Sequence, residues 1–250
     1  MRFSNLTKPD MIVFDYGGTL AQEPPPDFLR GWRAVFRYIC KNPDGVAPEE
    51  AHQLADGLWQ RFSGSRSLSA IRKGGFEIHE WHQLRTVFDA LDLEPTLSLG
   101  DMEVVLMDHS SPSEPVPLAA ELLELLDRLK ISTGVISNIG WSGQALEHRL
   151  KDLFPSHRFA FVLASSEYGI RKPDPLLFQI ALKKARLPGG KIWFCGDNPQ
   201  ADIQGAQAAG MFPVWYQAGQ KDGALGFPHL AIASWRELME ALAALTKEEK

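Results

Sequence analysis

The sequence predicts an α/β protein: a parallel sheet covered by helices on both faces, with an all-helical module inserted after its first strand. Three observations carry that prediction. From Pro117 onward, short apolar runs alternate with amphipathic helical stretches, the pattern of a parallel sheet joined by helical crossovers. A further apolar run, "MIVF" at 11–14, reads as a strand of the same sheet but stands roughly a hundred residues ahead of it. The chain between keeps helical periodicity, and so long a stretch is not a loop in a compact domain.

The first strand ends at Asp15, where two glycines and a threonine make a tight turn. The proline run 24–26 opens the inserted module and "SPSEPVP", 111–117, closes it, two stiff connections. Between them lie "DFLRGWRAVFRYIC", "PEEAHQLADGLWQRF", "EIHEWHQLRTVFDAL" and a segment after Ser98, each with apolar residues at helical spacing. Then follow a helix in "PLAAELLELLDRLK", a strand in "STGVI", a helix after Ser142, a strand in "FAFVLAS" and a helix in "DPLLFQIALKKAR". A strand in "KIWFC", a helix in "PQADIQGAQAAG", a strand in "FPVWY" and a helix after Ser234 complete the chain, with "TKEEK" as a frayed tail. The expected division is a core of residues 1–22 and 115–250 and a helical module of residues 23–114.

Composition sets the outer bounds. A 250-residue chain with 44% hydrophobic and 23% charged residues buries a real core, which excludes disorder and fibres. The formal charge of −5 comes from 26 basic and 31 acidic residues scattered without long runs, so no stripe fits a nucleic-acid backbone and no polybasic patch fits a membrane. Small anionic substrates stay open. Cys40 and Cys195 lie far apart and Cys195 sits in an apolar run, so reduced, non-catalytic thiols in a reducing compartment are expected. The apolar run at 11–14 is too short for a signal peptide and no segment reaches the ~20 apolar residues of a membrane span, so the expectation is cytoplasmic.

In an open parallel sheet, ligands bind beyond the carboxyl ends of the strands. Those ends carry Asp15, then Ser137 with Asn138, then Arg171 and Lys172 in the loop after the third strand, then Gly196 and Asp197. Each has an ordinary reading as a turn former, a solvated charge or a helix cap. Their convergence on one edge is poorly explained that way. Together they suit phosphoryl transfer: a carboxylate attacks phosphorus to form an aspartyl-phosphate, and hard Mg²⁺ on Asp15 and Asp197 offsets the repulsion between anions. The Ser137 hydroxyl, the Lys172 ammonium and the amides of the Gly17–Gly18–Thr19 turn are the expected donors to phosphoryl oxygens. Asp202, five residues after Asp197, is placed to orient the metal shell, or else is a first-turn acid on a helix dipole.

These residues resemble the haloacid dehalogenase-like (HAD) hydrolases, a Rossmann-like superfamily whose members are mostly Mg²⁺-dependent phosphatases and phosphotransferases. "FDYGGTL" is similar to its first motif with Asp15 as nucleophile, "VISN" to its second at Ser137, "YGIRKPDPLLF" to its third at Lys172, and "CGDNPQADIQGAQAAG" to its fourth at Asp197 and Asp202. The wording around Lys172 is that of the haloacid dehalogenase and phosphoglycolate phosphatase branch. The match runs over the whole chain and implies a helical cap between the first and second motifs. It also implies catalytic roles for Asp15, Ser137 and Lys172, substrate contacts from Gly18, Thr19 and Asn138, and a Mg²⁺ site of Asp15, the Gly17 carbonyl, Asp197 and Asp202. The substrate expected is a small phosphorylated metabolite.

One position departs. Phosphatases of this superfamily carry a second aspartate two residues after the nucleophile, which protonates the leaving group and activates water; here it is Gly17, which keeps only the carbonyl. Three enzymatic readings follow: a phosphatase with an easy leaving group or an acid borrowed from the cap, a metal-free 2-haloacid dehalogenase, or a phosphonatase-like hydrolase with Lys73 as Schiff-base lysine. Dehalogenases usually have tyrosine at this position, and the paired Asp197 and Asp202 favour a metal. A catalytically weak metal- or ligand-binding regulatory module is the non-enzymatic alternative. In the inserted module, His79, Glu80 and His82 are expected on a partly exposed polar face, with a histidine able to reach the site on closure, and Arg30, Arg33 and Arg37 line one helix as a solvated face or an anion contact.

Overall fold

The computed structural model describes residues 6–62, 75–218 and 225–248. Lys73 lies outside the described residues. Five strands of the main sheet match the apolar runs: β1 (Met11–Phe14), β6 (Ser132–Ser137), β7 (Phe161–Ala164), β8 (Ile192–Gly196) and β9 (Phe212–Tyr216), with two-residue β2 (Ala21–Gln22) and β5 (Glu114–Pro115) outside it. A sixth, β10 (Leu230–Ile232), extends the edge. The sheet is parallel throughout, in the order β10-β9-β8-β1-β6-β7. Strand β1 therefore lies at the centre, with Phe14 in register with Val135 on one side and Cys195 on the other. That register brings the chain just after β1, β6 and β8 to one edge of the sheet.

All four residues of β1 are buried, because both faces are covered. The two-residue alternation divides them: Ile12 and Phe14 join an apolar cluster with Leu122, Leu146, Trp235 and Leu238, while Met11 and Val13 join another with Phe178, Phe194 and Met211. The first cluster is closed by α5 (Ala119–Arg128), α6 (Gly143–Leu153) and α9 (Trp235–Glu248), the second by α7 (Pro175–Ala185) and the short α8 (Gly205–Ala208). Between β2 and β5 run α1 (Phe28–Val35), α2 (Pro48–Phe62), α3 (Glu80–Ala90) and α4 (Leu99–Ser110), which share a third cluster built on Trp32, Val35, Leu84, Val87, Met102 and Leu106. Side-chain caps start these helices where sequence suggests: Asp27 accepts from Arg30 N, Ser98 from Asp101 N, Ser142 from Ala145 N and Asp174 from Leu176 N. No helix among the described residues is long and apolar enough to cross a membrane.

Two expectations of local structure are corrected. The helix expected over 27–40 stops at Val35; a 3₁₀ turn, Phe36–Tyr38, leads into β3 (Ile39–Lys41), which pairs with β4 (Glu94–Pro95). There Thr96 donates its amide and hydroxyl to the Tyr38 carbonyl, so pairing across the chain overrides the helical pattern. The connection at 111–117 is not merely stiff: Glu114 and Pro115 pair with Gln22 and Ala21, tying together the two chain passages into and out of the inserted helices.

Candidate active site

The centre of the strand-end edge is a buried ammonium. Lys172 follows the β7 loop and is nearly sealed from solvent, with Nζ donating to Asp15 Oδ1 at 2.6 Å and to the Ile136 carbonyl at 2.8 Å. Asp202 Oδ1 lies 2.7 Å from the same Nζ as an ion-pair contact outside hydrogen-bond alignment. The Phe194 ring passes 5.3 Å from Nζ. Burial alone would push this lysine down, but the charges of Asp15 and Asp202 outweigh it and hold the ammonium above its ordinary range.

Asp15, Asp197 and Asp202 each offer a carboxylate oxygen, all within 4.8 Å of one another. One ammonium faces three carboxylates. Burial raises Asp197 to about 6, helped by the charge of Asp15, and raises Asp202 to about 7 against the opposing pull of Lys172. Local backbone makes the approach possible. Gly18 adopts φ +75°, and a β-carbon there would stand 2.6 Å from Asp197 Oδ2; a β-carbon at Gly196 would overlap the Asp202 carboxylate. Asp202 sits in a π-helical turn, Pro199–Gln204, whose first amides are received by Asn198 Oδ1, while Asp202 Oδ2 accepts from Asn198 N at 3.0 Å. This hard, all-oxygen, excess-negative donor set fits a divalent cation such as Mg²⁺.

Not every expected contact is available. Asn138, expected against substrate, brackets the Lys172 backbone: its Oδ1 accepts from Lys172 N at 2.7 Å and its Nδ2 donates to Lys172 O at 3.0 Å. It positions the lysine. The amides of Gly18 and Thr19 are engaged inside the turn, donating to Ala21 O at 2.8 Å and Tyr16 O at 3.3 Å, so they are not free anion donors here. The Thr19 hydroxyl is buried without a partner, and Ser137 is buried at the end of β6. At Gly17 a β-carbon would meet nothing within 4 Å. Tyr16, next to the nucleophile position, turns away: its hydroxyl donates to Glu23 Oε1 at 2.9 Å and lies 3.0 Å from Ser113 Oγ, beside Arg149.

Among the groups singled out in the inserted helices, Glu80 corrects the expected polar face, since it is buried. His79 caps α3 by accepting from Trp81 N at 3.2 Å, with Nε2 3.6 Å from Glu167, and His82 is exposed. Arg33 pairs with Glu49 on the surface at 2.8 Å and Arg30 donates to the His109 carbonyl, while Arg37, expected on the same helix, is exposed in the 3₁₀ turn beyond its end. Sequence reasoning passed over Glu77, Glu103, Arg149 and Ser165, all buried polar groups at the junction of the inserted helices and the sheet. A surface groove of about 630 Å³ along Leu176, Gln179, Lys183 and Arg186 lies on the α7 flank and contains none of the strand-end groups.

Comparison with known proteins matches the haloacid dehalogenase-like hydrolase family over residues 9–210. Phosphoserine phosphatase of Thermus thermophilus is 39% identical over 89 residues, 35% of this chain and 36% of that protein. Phosphoglycolate phosphatase of Pseudomonas savastanoi pv. phaseolicola is 22% identical over 86% of this chain and 72% of that protein. Matches to the first curated relatives span about a third to just over half of their lengths. Among solved structures, a 2-haloacid dehalogenase from Pseudomonas syringae pv. Tomato superposes with a TM-score of 0.60 at 26% identity, over 96% of this chain and 99% of that one.

Proposed function

Because this chain belongs to the haloacid dehalogenase-like hydrolases, we propose that it is a Mg²⁺-dependent phosphatase of a small phosphorylated metabolite. The observation that carries the reading is the excess of carboxylate at the strand ends, three acids around one buried ammonium. In this reading, residues 1–22 and 115–250 are the catalytic core and residues 23–114 the cap. Two unpaired cysteines, one exposed and one buried, suit a reducing compartment, and we place the protein in the cytoplasm.

Asp15 is the nucleophile. Lys172 holds its Oδ1, which leaves Oδ2 to attack phosphorus; the phosphorus–oxygen bond to the leaving group breaks with its electron pair on that oxygen, and water then hydrolyses the aspartyl-phosphate to inorganic phosphate. Ser137 and the unpartnered Thr19 hydroxyl donate to phosphoryl oxygens, and Lys172 neutralises charge on the same side. Mg²⁺ held by Asp15, Asp197, Asp202 and the Gly17 carbonyl would supply the positive charge that lets one anion approach another. Since Gly17 offers no acid, the leaving group departs without protonation from that position. Hydrolysis of p-nitrophenyl phosphate, whose leaving group needs little protonation, is expected with Mg²⁺ and lost in EDTA, and Asp15→Asn is expected to be inactive. Turnover by that variant equal to the wild type would overturn the assignment.

A second reading is favoured by the Pseudomonas syringae dehalogenase structure and by the missing acid at Gly17. There Asp15 displaces halide from a 2-haloacid, forming an ester that water hydrolyses. Halide release from 2-chloropropionate in EDTA, with no phosphate ester cleaved, would select it.

A further inference from the structure

The segment just before α3 is laid across two loops that follow sheet strands. Phe76 bridges Ile170 in antiparallel fashion, Glu77 N donates to Gly169 O at 3.2 Å and Arg171 N donates to Gly75 O at 3.2 Å. A little further on, Glu80 N donates to Gly140 O at 2.9 Å. The first three contacts grip the loop after β7 and the last grips the loop after β6.

Within this ladder Glu77 places a carboxylate that is 2% exposed against both loops. Its Oε2 accepts from Ser165 Oγ at 2.6 Å and from Arg171 Nη1. Ser165 Oγ in turn accepts from Ile139 N at 2.9 Å. Ile139 follows Asn138, whose amide brackets the Lys172 backbone, and Arg171 precedes Lys172. The contacts therefore run without a break from Glu77, through both loops, to the ammonium that meets Asp15 and Asp202. A carboxylate buried to this depth is stable only with such partners, and removing it strands the partners in turn.

We propose that Glu77 is a positioning residue of the strand-end site, its carboxylate holding the Asn138 and Lys172 loops in the relation that seats Lys172 Nζ between Asp15 and Asp202. The proposal rests on reading Asp15 as the nucleophile. It differs from simple attachment of the inserted helices to the sheet, because attachment needs only the ladder amides, whereas positioning needs the carboxylate.

The test compares Glu77→Gln, Glu77→Ala and Phe76→Ala, the last removing a side chain that is 70% exposed while leaving the Glu77 contacts intact. With p-nitrophenyl phosphate and Mg²⁺, kcat is expected to fall about 5-fold in Glu77→Gln, which keeps an acceptor for Ser165, and about 50-fold in Glu77→Ala, with KM within about 3-fold, since sub-ångström misplacement acts on kcat. Phe76→Ala should stay within about 2-fold of wild type, because surface side chains away from such contacts contribute little. Amide hydrogen exchange gives a readout independent of turnover: in Glu77→Ala the amides at 139 and 172 should exchange at least about 10-fold faster while those of β9 stay protected. Unchanged kcat in Glu77→Ala, or faster exchange confined to 75–80 with 139 and 172 still protected, would overturn the proposal. Should the wild type show no turnover, the nucleophile reading fails while the exchange comparison still decides the role of Glu77.

Discussion

At the strand ends, Asp15 and Asp202 flank the Lys172 ammonium at 2.6 and 2.7 Å; where α3 and α4 meet the start of α6, Glu80 and Glu103 are buried with no ion pair to either among the described residues. Glu103 is met by neutral donors instead: Trp81 Nε1 and Ser142 N, both at 2.8 Å, and the Ser142 hydroxyl. Glu80 Oε1 has no partner, and burial, then the charge of Glu103, raises its carboxyl to about 8. Burial penalises the anion in both places. What differs is the answer. A lysine opposes the penalty at the first site, and its approach leaves charge available for chemistry; at the second, hydrogen bonds and a retained proton answer it, which makes a joint between helices.

Lys172→Met breaks the comparison most severely, because it leaves the strand-end acids as bare as Glu80. We expect kcat/KM for p-nitrophenyl phosphate to fall by roughly 10³ or more, since a preorganised buried charge is among the largest single contributions to such a site. Glu103→Gln, which changes a buried acid of the other cluster, should leave kcat/KM within about 3-fold, as expected of a group that touches no reacting atom. Equal losses in the two variants, measured at the same folded fraction, would mean that both clusters are structural.

Gly17→Asp adds an acid to the first cluster at a place with room for it. A β-carbon at Gly17 meets nothing within 4 Å and its φ lies outside the left-handed region, so the substitution carries no evident strain. General acid assistance contributes about 10² to 10⁴ in rate, and an acid that has not been placed with care recovers less, so roughly 10-fold to 100-fold faster hydrolysis of an alkyl phosphate is expected. The aryl ester, which needs little protonation, should change far less. A gain of the same size on both substrates would show that the new carboxylate acts through binding and not through proton transfer.

The strand-end half of this comparison was legible in the sequence and the other half was not. Asp15, Ser137 and Asp197 each follow an apolar run, and Lys172 lies three residues ahead of Pro175, which opens a helix, so each position is marked by its own neighbours. Glu77 and Glu103 have no such local mark: Glu77 meets Ser165 and Arg171 across 88 and 94 residues, and Glu103 meets Ser142 across 39. A glutamate in an amphipathic segment is solvated far more often than buried, which is why Glu80 was expected on a polar face. Asn138 was correctly placed at a strand end, but sequence could not reveal that its amide serves the backbone of Lys172. Strands β2, β5 and β10 are two or three residues long and too short to show any period.

The smallest expected effect is on stability, and its sign separates the two clusters. Glu80 has an ordinary glutamate value of 4.5 in the unfolded chain and about 8 in the fold, so folding takes up a proton between those values. A raised folded value gives stability that is full below about 4.5 and declines as pH climbs toward 8. Glu103 and His79 are the titratable groups facing this joint, and both remain in Glu80→Gln. That variant carries no proton to lose, so its melting temperature should exceed that of wild type by roughly 10 °C at pH 8 and by only about 2 °C at pH 5. Thermal unfolding across that range checks it. A difference independent of pH would show that Glu80 is ionised in the fold, and the joint would then hold an unpaired buried charge at a cost its hydrogen bonds do not offset.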